Sequence, residues 1–245
     1  MKPLFNSIVT KETNNLRDVV HGDCLEVMKL IPSQSIDLII ADPPYGMSYK
    51  SGKWHGHYVR GKHRVIPKNI SPILGDNDIV DFFEESHRIL KEKGAIYVFG
   101  SWRTSEKWRP LIEKHFVLRN KLIWVKNNHT MGSWKHQYRN KYEEIFYADL
   151  GAHELRGPKG HADVLMFNRV RDSKRLHPAE KPVNLLEYLI KESSDPEAIV
   201  FDPFAGSGST LVAAKNTNRR YLGIEIDKSY VDIANRRLNH EGTLC

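Results

Sequence analysis

Short apolar runs closed by turn residues alternate along this chain with stretches whose apolar positions recur every three or four residues. The short runs predict strands at "DVVHG" (18–22), "IDLIIAD" (36–42), "GAIYVFG" (94–100) and "VLRNKLIWVK" (117–126). Three more follow at "EEIFYA" (143–148), "AIVFDPF" (198–204) and "RYLGIEI" (220–226). Helical spacing joins Ile79, Phe82, Phe83, Ser86, Ile89 and Leu90, then Val183, Leu186, Leu189 and Ile190 behind Pro182, then Tyr230, Ile233, Ala234 and Leu238. Such stripes read as core faces of helices. Apolar runs with little internal alternation mark strands buried on both sides, so the pattern predicts a doubly wound, mostly parallel seven-stranded α/β sheet with helices on both faces.

Two segments break the alternation. Residues 47–75 contain Lys50, Lys53, Arg60, Lys62, Arg64 and Lys68 with no Asp or Glu, interleaved with Tyr49, Trp54 and Tyr58. A loop of this length inside a compact domain is usually functional or disordered. Its bland alternative is an ordinary solvated loop. Residues 151–176 are rich in glycine and charge and read as a second surface insertion.

Composition narrows the setting. At 245 residues and 40% hydrophobic content, one domain over 1–245 is expected. The net charge of +7 favours polyanionic partners. Cys24 and Cys245 are too far apart in sequence to frame a disulfide scaffold or a metal site, and the histidines show no ligand spacing, so no metal is expected. Neither a signal-peptide core nor a membrane-spanning apolar run is visible, and the expectation is a soluble, intracellular protein with no membrane partner.

The chemistry gathers at two strand ends. In "IIADPPYG" (39–46) two prolines follow Asp42, and proline has no N–H to give to a sheet ladder. The strand stops in a stiff corner that holds Asp42, the Pro43 carbonyl and Tyr45 together. In "VFDPFAGSGSTLVAA" (200–214) another strand ends in Asp202, and a Gly-rich turn leads into helix-forming residues. Strand, glycine turn and helix N-terminus form a nucleotide-binding corner. Gly206 and Gly208 alone are equally explained by a tight turn. Glu225, 23 positions beyond Asp202 and after the next strand, is placed to accept hydrogen bonds from ribose hydroxyls, although a strand end and helix cap would also use Glu225 and Asp227. If the strands ending at Asp42 and Asp202 are neighbours where the strand order reverses, both corners form one site.

With "DPPY", "DPFAGSGST", the intervening "HPAEKPVNLL", and "HGDCLEVMKL", "LIWVKNN" and "YEEIFYA" on the page, the chain resembles the beta group of S-adenosylmethionine-dependent DNA amino-methyltransferases. Several motifs in order are far more specific than any one of them. The resemblance covers most of the chain and implies a Rossmann-like methyltransferase sheet with circularly rearranged motif order. It implies a cofactor, S-adenosylmethionine, held by Asp23, Cys24, Asp42, Asp202, Phe204, Ala205, Gly206, Ser207, Gly208 and Glu225. Lys181, Pro182 and Asn184 would close over its methionine part. Asp23 also reads as a plain helix cap.

The resemblance further implies that Asp42 and the Pro43 carbonyl accept the N–H groups of an exocyclic base amine, that Pro44 stiffens the corner and that Tyr45 stacks on the base. A base in duplex DNA must be flipped out to reach such a pocket. Segment 47–75 would then grip phosphates through its six cations. Segment 151–176 lies at the target-recognition position, where Arg156, Lys159, Arg169 and Arg171 would meet guanine edges or phosphates.

Carbon-5 cytosine methylation needs a cysteine nucleophile after a proline, which neither cysteine provides. The resemblance associates DPPY with adenine N6 and SPPY with cytosine N4, so the expected substrate is adenine in DNA, taken as duplex. Cytosine N4, and an RNA or protein amide, are the alternatives. A prokaryotic or phage-encoded cytoplasmic enzyme is implied, with a homodimer and a separate restriction nuclease left open as partners.

Overall fold

The computed structural model describes residues 16–44, 76–129, 135–136, 138–157, 160–171, 173, 175–177 and 179–239. Among them, eight strands form one sheet in the order β1-β8-β7-β2-β3-β5-β4-β6. The strands are β1 (Arg17–His21), β2 (Ile36–Ala41), β3 (Leu90–Gly100), β4 (Val117–Val125), β5 (Tyr142–Asp149), β6 (Val164–Met166), β7 (Ile199–Asp202) and β8 (Arg220–Glu225). Only β5 runs against its neighbours; the β1-β8, β8-β7, β7-β2, β2-β3 and β4-β6 pairs are parallel.

All seven predicted strands are present. Successive residues of β2 alternate between two cores. Ile36, Ile39 and Ala41 pack on one face with Phe82, Phe83, Trp108 and Ile112. Leu38 and Ile40 pack on the other with Leu185, Leu189, Leu211 and Val231. That double burial is why β2 reads as an unbroken apolar run.

The helices on the first face are α1 (Cys24–Met28), α2 (Asp76–Ile89) and α3 (Trp102–His115). The second face carries α4 (Val183–Ser193), α5 (Ser209–Asn216) and α6 (Lys228–Asn239). The predicted stripes bury as expected, with Phe82, Phe83 and Ile89, then Leu186, Leu189 and Ile190, then Ala234 and Leu238 all in the core.

Three details differ from the sequence reading. Leu90 opens β3 instead of closing α2, pairing with Ile36 ahead of a register shift in β2. Helix α3 was not predicted, because only Trp108 and Ile112 of its fourteen residues are buried and most of the others are polar. The sheet has an eighth strand: β6 lies inside segment 151–176, which is therefore partly sheet edge and not wholly a surface insertion. It is three residues long with only Leu165 buried, too short for a readable period. No helix among the described residues is long and apolar enough to cross a membrane.

Candidate active site

The strand order reverses between β7 and β2. From β7 the chain passes through α5 to β8 on one side; from β2 it passes through α2 to β3 on the other. The two strands pair directly, with Leu38 opposite Val200 and Ile39 opposite Phe201. Asp42 and Asp202 therefore end neighbouring strands at the carboxyl edge of the sheet, where open α/β sheets place their ligands.

The glycine corner is built by its own backbone. Gly206 has φ +51° and Gly208 φ +82°, left-handed values that favour glycine. The turn closes through Gly208 N–H to the Ala205 carbonyl at 2.7 Å, and Ala205 N–H donates to the Ile224 carbonyl of β8 at 2.9 Å. Gly206 N–H donates to Glu225 Oε2 and Asp227 N–H to Glu225 Oε1, each at 2.8 Å. Burial raises the Glu225 pKa despite these bonds. Phe204 packs its ring 5.4 Å from that of Phe82, and buried Ser207 accepts from Arg237 of α6.

Asp202 is 5% exposed and accepts from Phe204 N–H at 2.9 Å. Burial pushes its pKa up to about 7; Thr210 and the Phe204 amide oppose that rise, while the Asp42 and Glu225 charges add to it. Burial and the two neighbouring carboxyl groups thus keep Asp202 partly protonated near neutral pH, at the ligand end of the sheet.

The Asp-Pro-Pro corner is held by side chains from elsewhere. Lys181 Nζ donates to Asp42 Oδ2 at 2.5 Å and lies 3.2 Å from Glu143 Oε2 at the start of β5. The ring of Phe99 from β3, the strand between β2 and β5, lies 4.9 Å beneath the ammonium. Lys126, just past β4, pairs with Glu143 Oε1 and lies 5.1 Å from the Trp124 ring. Burial opposes the charge on Lys181, but Asp42 and Glu143 outweigh it and raise its pKa. Burial acts against ionisation of Glu143 too, yet Lys181 and Lys126 hold its pKa below the usual range. Pro43 is buried and Pro44 half-buried, so the corner is packed as well as stiff.

Other predicted residues fall in different places. Asp23 caps α1, its Oδ1 accepting from Leu25 N–H at 2.9 Å and Glu26 N–H at 3.3 Å. The strand before it pairs with β8, and Gly22 N–H donates to the Glu225 carbonyl at 3.0 Å, which brings Asp23 to the same edge. Cys24 is buried, and burial together with Asp23 pushes its pKa to about 12, so its thiol stays protonated. Pro182 is the N-cap residue of α4, and exposed Asn184 accepts from Leu185 N–H through its side chain.

Arg169 donates its backbone N–H to Asn127 Oδ1 at 3.3 Å, near the carboxyl end of β4, and Arg171 is exposed beyond it. Arg156 is brought elsewhere. It pairs with Asp195 at 3.2 Å past the far end of α4, towards the amino edge of the sheet, apart from Asp42. Tyr45, Lys50, Lys53, Arg60, Lys62, Arg64, Lys68 and Lys159 lie outside the described residues.

The sequence reading assigned no role to Glu143, Lys126, Phe99, His177 or Arg237. The His177 ring lies 3.6 Å from where a Cβ on Gly206 would stand and meets Tyr230 edge-on at 4.5 Å. Burial and Lys181 lower its pKa to about 4, so it is neutral at physiological pH. Next to it Glu180 pairs with Arg237 at 3.2 Å and accepts from Leu176 N–H at 2.7 Å, which ties "HPAEKP" to α6. The only signal for His177, Lys126 and Glu143 was their position in the quoted stretches "HPAEKP", "WVKNN" and "YEEIF"; Phe99 lay in a predicted strand, and Arg237 carried no signal. Among the described residues, no three His, Cys, Asp or Glu side chains group in a way that holds a metal ion.

Known proteins share this sequence pattern and this fold. The DNA methylase family profile (N6_N4_Mtase) matches residues 36–236. A type II methyltransferase, M.HinfI of Haemophilus influenzae, is 31% identical over 91% of this chain and 68% of its own length. The DNA adenine methyltransferase YhdJ of Escherichia coli K12 is 30% identical over 94% of this chain and 85% of its own. Among solved structures, the M1.HpyAVI complex with SAM superposes with a TM-score of 0.70 at 24% identity, covering 91% of this chain and 99% of that one. The cytosine-N4-specific PvuII DNA methyltransferase gives 0.70 at 17% identity, covering 92% and 87%.

Proposed function

This chain belongs to the DNA methylase family, and we propose that within it the protein methylates the exocyclic N6 of a flipped adenine in DNA, using S-adenosylmethionine. The observation that carries the reading is the pairing of β2 with β7, which sets the Asp42 corner beside the glycine corner. Adenine is favoured over cytosine by the Asp-Pro-Pro-Tyr sequence at 42–45 and by a relative named as a DNA adenine methyltransferase.

The residues present fit such a cofactor. A glycine turn with left-handed backbone at Gly206 and Gly208 lets a nucleoside approach the main chain, and Glu225 stands at the end of the next strand to receive its ribose. Asp202, buried beside Asp42 and Glu225, is the carboxyl group whose ionised form a positively charged sulfonium and ammonium would compensate. Bound there, S-adenosylmethionine supplies an electrophilic methyl group.

The protein's own contribution is to prepare the nucleophile. An exocyclic amine is a poor one, because its lone pair is delocalised into the ring. Asp42 and the Pro43 carbonyl accept its N–H groups and draw the nitrogen towards tetrahedral geometry, aiming the lone pair at the methyl carbon. Transfer would leave the C–S electron pair on sulfur, and Asp42 or water would take the surplus amine proton. Tyr45 stacking on the base and segment 47–75 gripping phosphates complete the reading.

The test is to incubate the protein with methyl-labelled S-adenosylmethionine and mixed-sequence duplex DNA, then identify the labelled nucleoside by mass. Label in N6-methyladenosine is the expected result. Label in N4-methylcytosine would keep the mechanism and overturn the base. Label only in RNA or a glutamine-containing peptide would overturn the substrate.

A further inference from the structure

The rim of the sheet carries a charge arrangement that the transfer reaction does not by itself require. Reading along the carboxyl edge from β2 through β3 and β5 to β4, the terminal side chains are Asp42, Phe99, Glu143 and Lys126. Lys181 reaches in from the segment before α4, lies on the Phe99 ring and touches both carboxylates, at 2.5 Å on Asp42 and 3.2 Å on Glu143. The result is an alternating row of four charges: Lys126, Glu143, Lys181, Asp42.

We propose that Glu143 is a positioning residue for methyl transfer: acting through Lys181, it sets how strongly Asp42 draws on the target amine. The inference rests on Asp42 being the group that receives that amine.

A lysine bound to Asp42 alone would fix the carboxylate but also neutralise it, and a neutralised carboxylate is a weak partner for an amine that becomes positive as it is methylated. Glu143 offers Lys181 a second anion within reach. As positive charge develops on the amine, the ammonium leans towards Glu143 and Asp42 recovers its negative charge. The Phe99 face keeps Lys181 on this short path, because a cation over a ring is stabilised without a competing hydrogen bond. Lys126 limits the effect by compensating Glu143 in turn.

Three charged or titratable groups face members of the row. Asp202 of β7 faces Asp42 electrostatically, His177 of "HPAEKP" faces Lys181, and Lys126 faces Glu143. His177 is neutral over the working range, so it adds no charge to the row.

The arrangement makes a prediction with opposite signs, which general disruption of the site cannot mimic. In Glu143→Gln an anion is lost and Lys181 settles on Asp42, so the titration midpoint of Asp42 falls, by about one unit. In Lys126→Met a cation is lost and Glu143 competes better for Lys181, so the midpoint rises. In Lys181→Met it rises furthest, whereas Lys181→Arg stays near the parent value.

The measurement is the carboxyl-carbon NMR titration of Asp42 in the full-length parent and these variants, together with kcat and the separate dissociation constants for S-adenosylmethionine and DNA. Glu143→Gln is expected to lower kcat by about fivefold, as a weaker base partner does, with both dissociation constants within about twofold of the parent. Glu143→Asp is expected to restore part of the loss. Midpoints that move the same way in Glu143→Gln and Lys126→Met, or do not move, would overturn the proposal. The titration needs no turnover, so a parent enzyme that labels cytosine or RNA would overturn the adenine reading while the midpoints still decide the role of Glu143.

Discussion

Two strand ends lie side by side at the carboxyl edge, each an aspartate followed by proline, and they are held in opposite ways. The corner after β7 is fixed from within about 25 residues of sequence: Gly206 and Gly208 in left-handed conformation, Ala205 bonded to β8, and Glu225 receiving two backbone amides. The corner after β2 is fixed from afar. Its carboxylate is gripped by Lys181, which lies 139 residues further along the chain and is itself shared with Glu143. A cofactor cradle must fit one invariant shape, so backbone suits it. A carboxylate that handles a reacting amine must change its charge balance during the reaction, and side chains suit that.

The largest break in this comparison is Asp42→Ala. It removes the group for which the second corner is built while leaving the glycine corner untouched. Methyl transfer should fall by about 10³-fold, the scale set by losing one pre-organised electrostatic partner, with DNA affinity kept. Near-normal turnover in a nucleoside-labelling assay would remove Asp42 from the reaction.

The next break falls on the backbone-built corner. At Gly208 an added Cβ would stand 2.8 Å from the Cβ of Ala234 in α6, on top of a φ of +82°. Gly208→Ala should therefore destabilise the fold by about 2 kcal/mol, combining backbone strain with overpacking. At Gly206 the nearest atoms are 3.6 Å away, on the His177 ring, so Gly206→Ala should cost about 1 kcal/mol, from the backbone alone. Urea denaturation of both variants checks the ranking, and equal losses would deny Gly208 its packing role against α6.

The same contrast explains what the sequence showed. The glycine turn, its flanking strands and Glu225 are contiguous, so local rules reach them: a buried strand, a turn needing positive φ, an acidic residue after the next strand. Asp-Pro-Pro is equally local. Lys126, Glu143 and Lys181 meet only because β5 runs antiparallel between β3 and β4 and carries Glu143 to the carboxyl edge. That reversal depends on strand order, which no window of sequence contains. Strand β6 and helix α3 were missed for a different reason, since each buries too few apolar side chains to leave a period. Arg156 looked like one more basic residue in an insertion, yet Asp195, distant in sequence, draws it to the far end of α4.

The finest test separates the two aspartates by pH. Asp42 has Lys181 on it, whereas Asp202 is buried among acids and its pKa is raised to about 7. An acid whose pKa is raised on folding binds more protons in the native than in the unfolded state between the two values. That contribution to stability is therefore full at low pH and is lost as pH rises from the ordinary carboxylate range through about 7. In the cofactor-free protein, Asp202→Asn should flatten this decline, so its melting temperature should change less than the parent's between pH 5 and 8. A cationic ligand compensates the ionised carboxylate, so S-adenosylmethionine should bind the parent more weakly at pH 6 than at pH 8 and release a fraction of a proton on binding near pH 7. Calorimetry in two buffers of different ionisation enthalpy measures that release directly. Proton release in the parent that disappears in Asp202→Asn assigns the titration to the backbone-built corner; release that persists in Asp202→Asn would move it to another group at this edge, with Glu225 the first to examine, because burial raises its pKa as well.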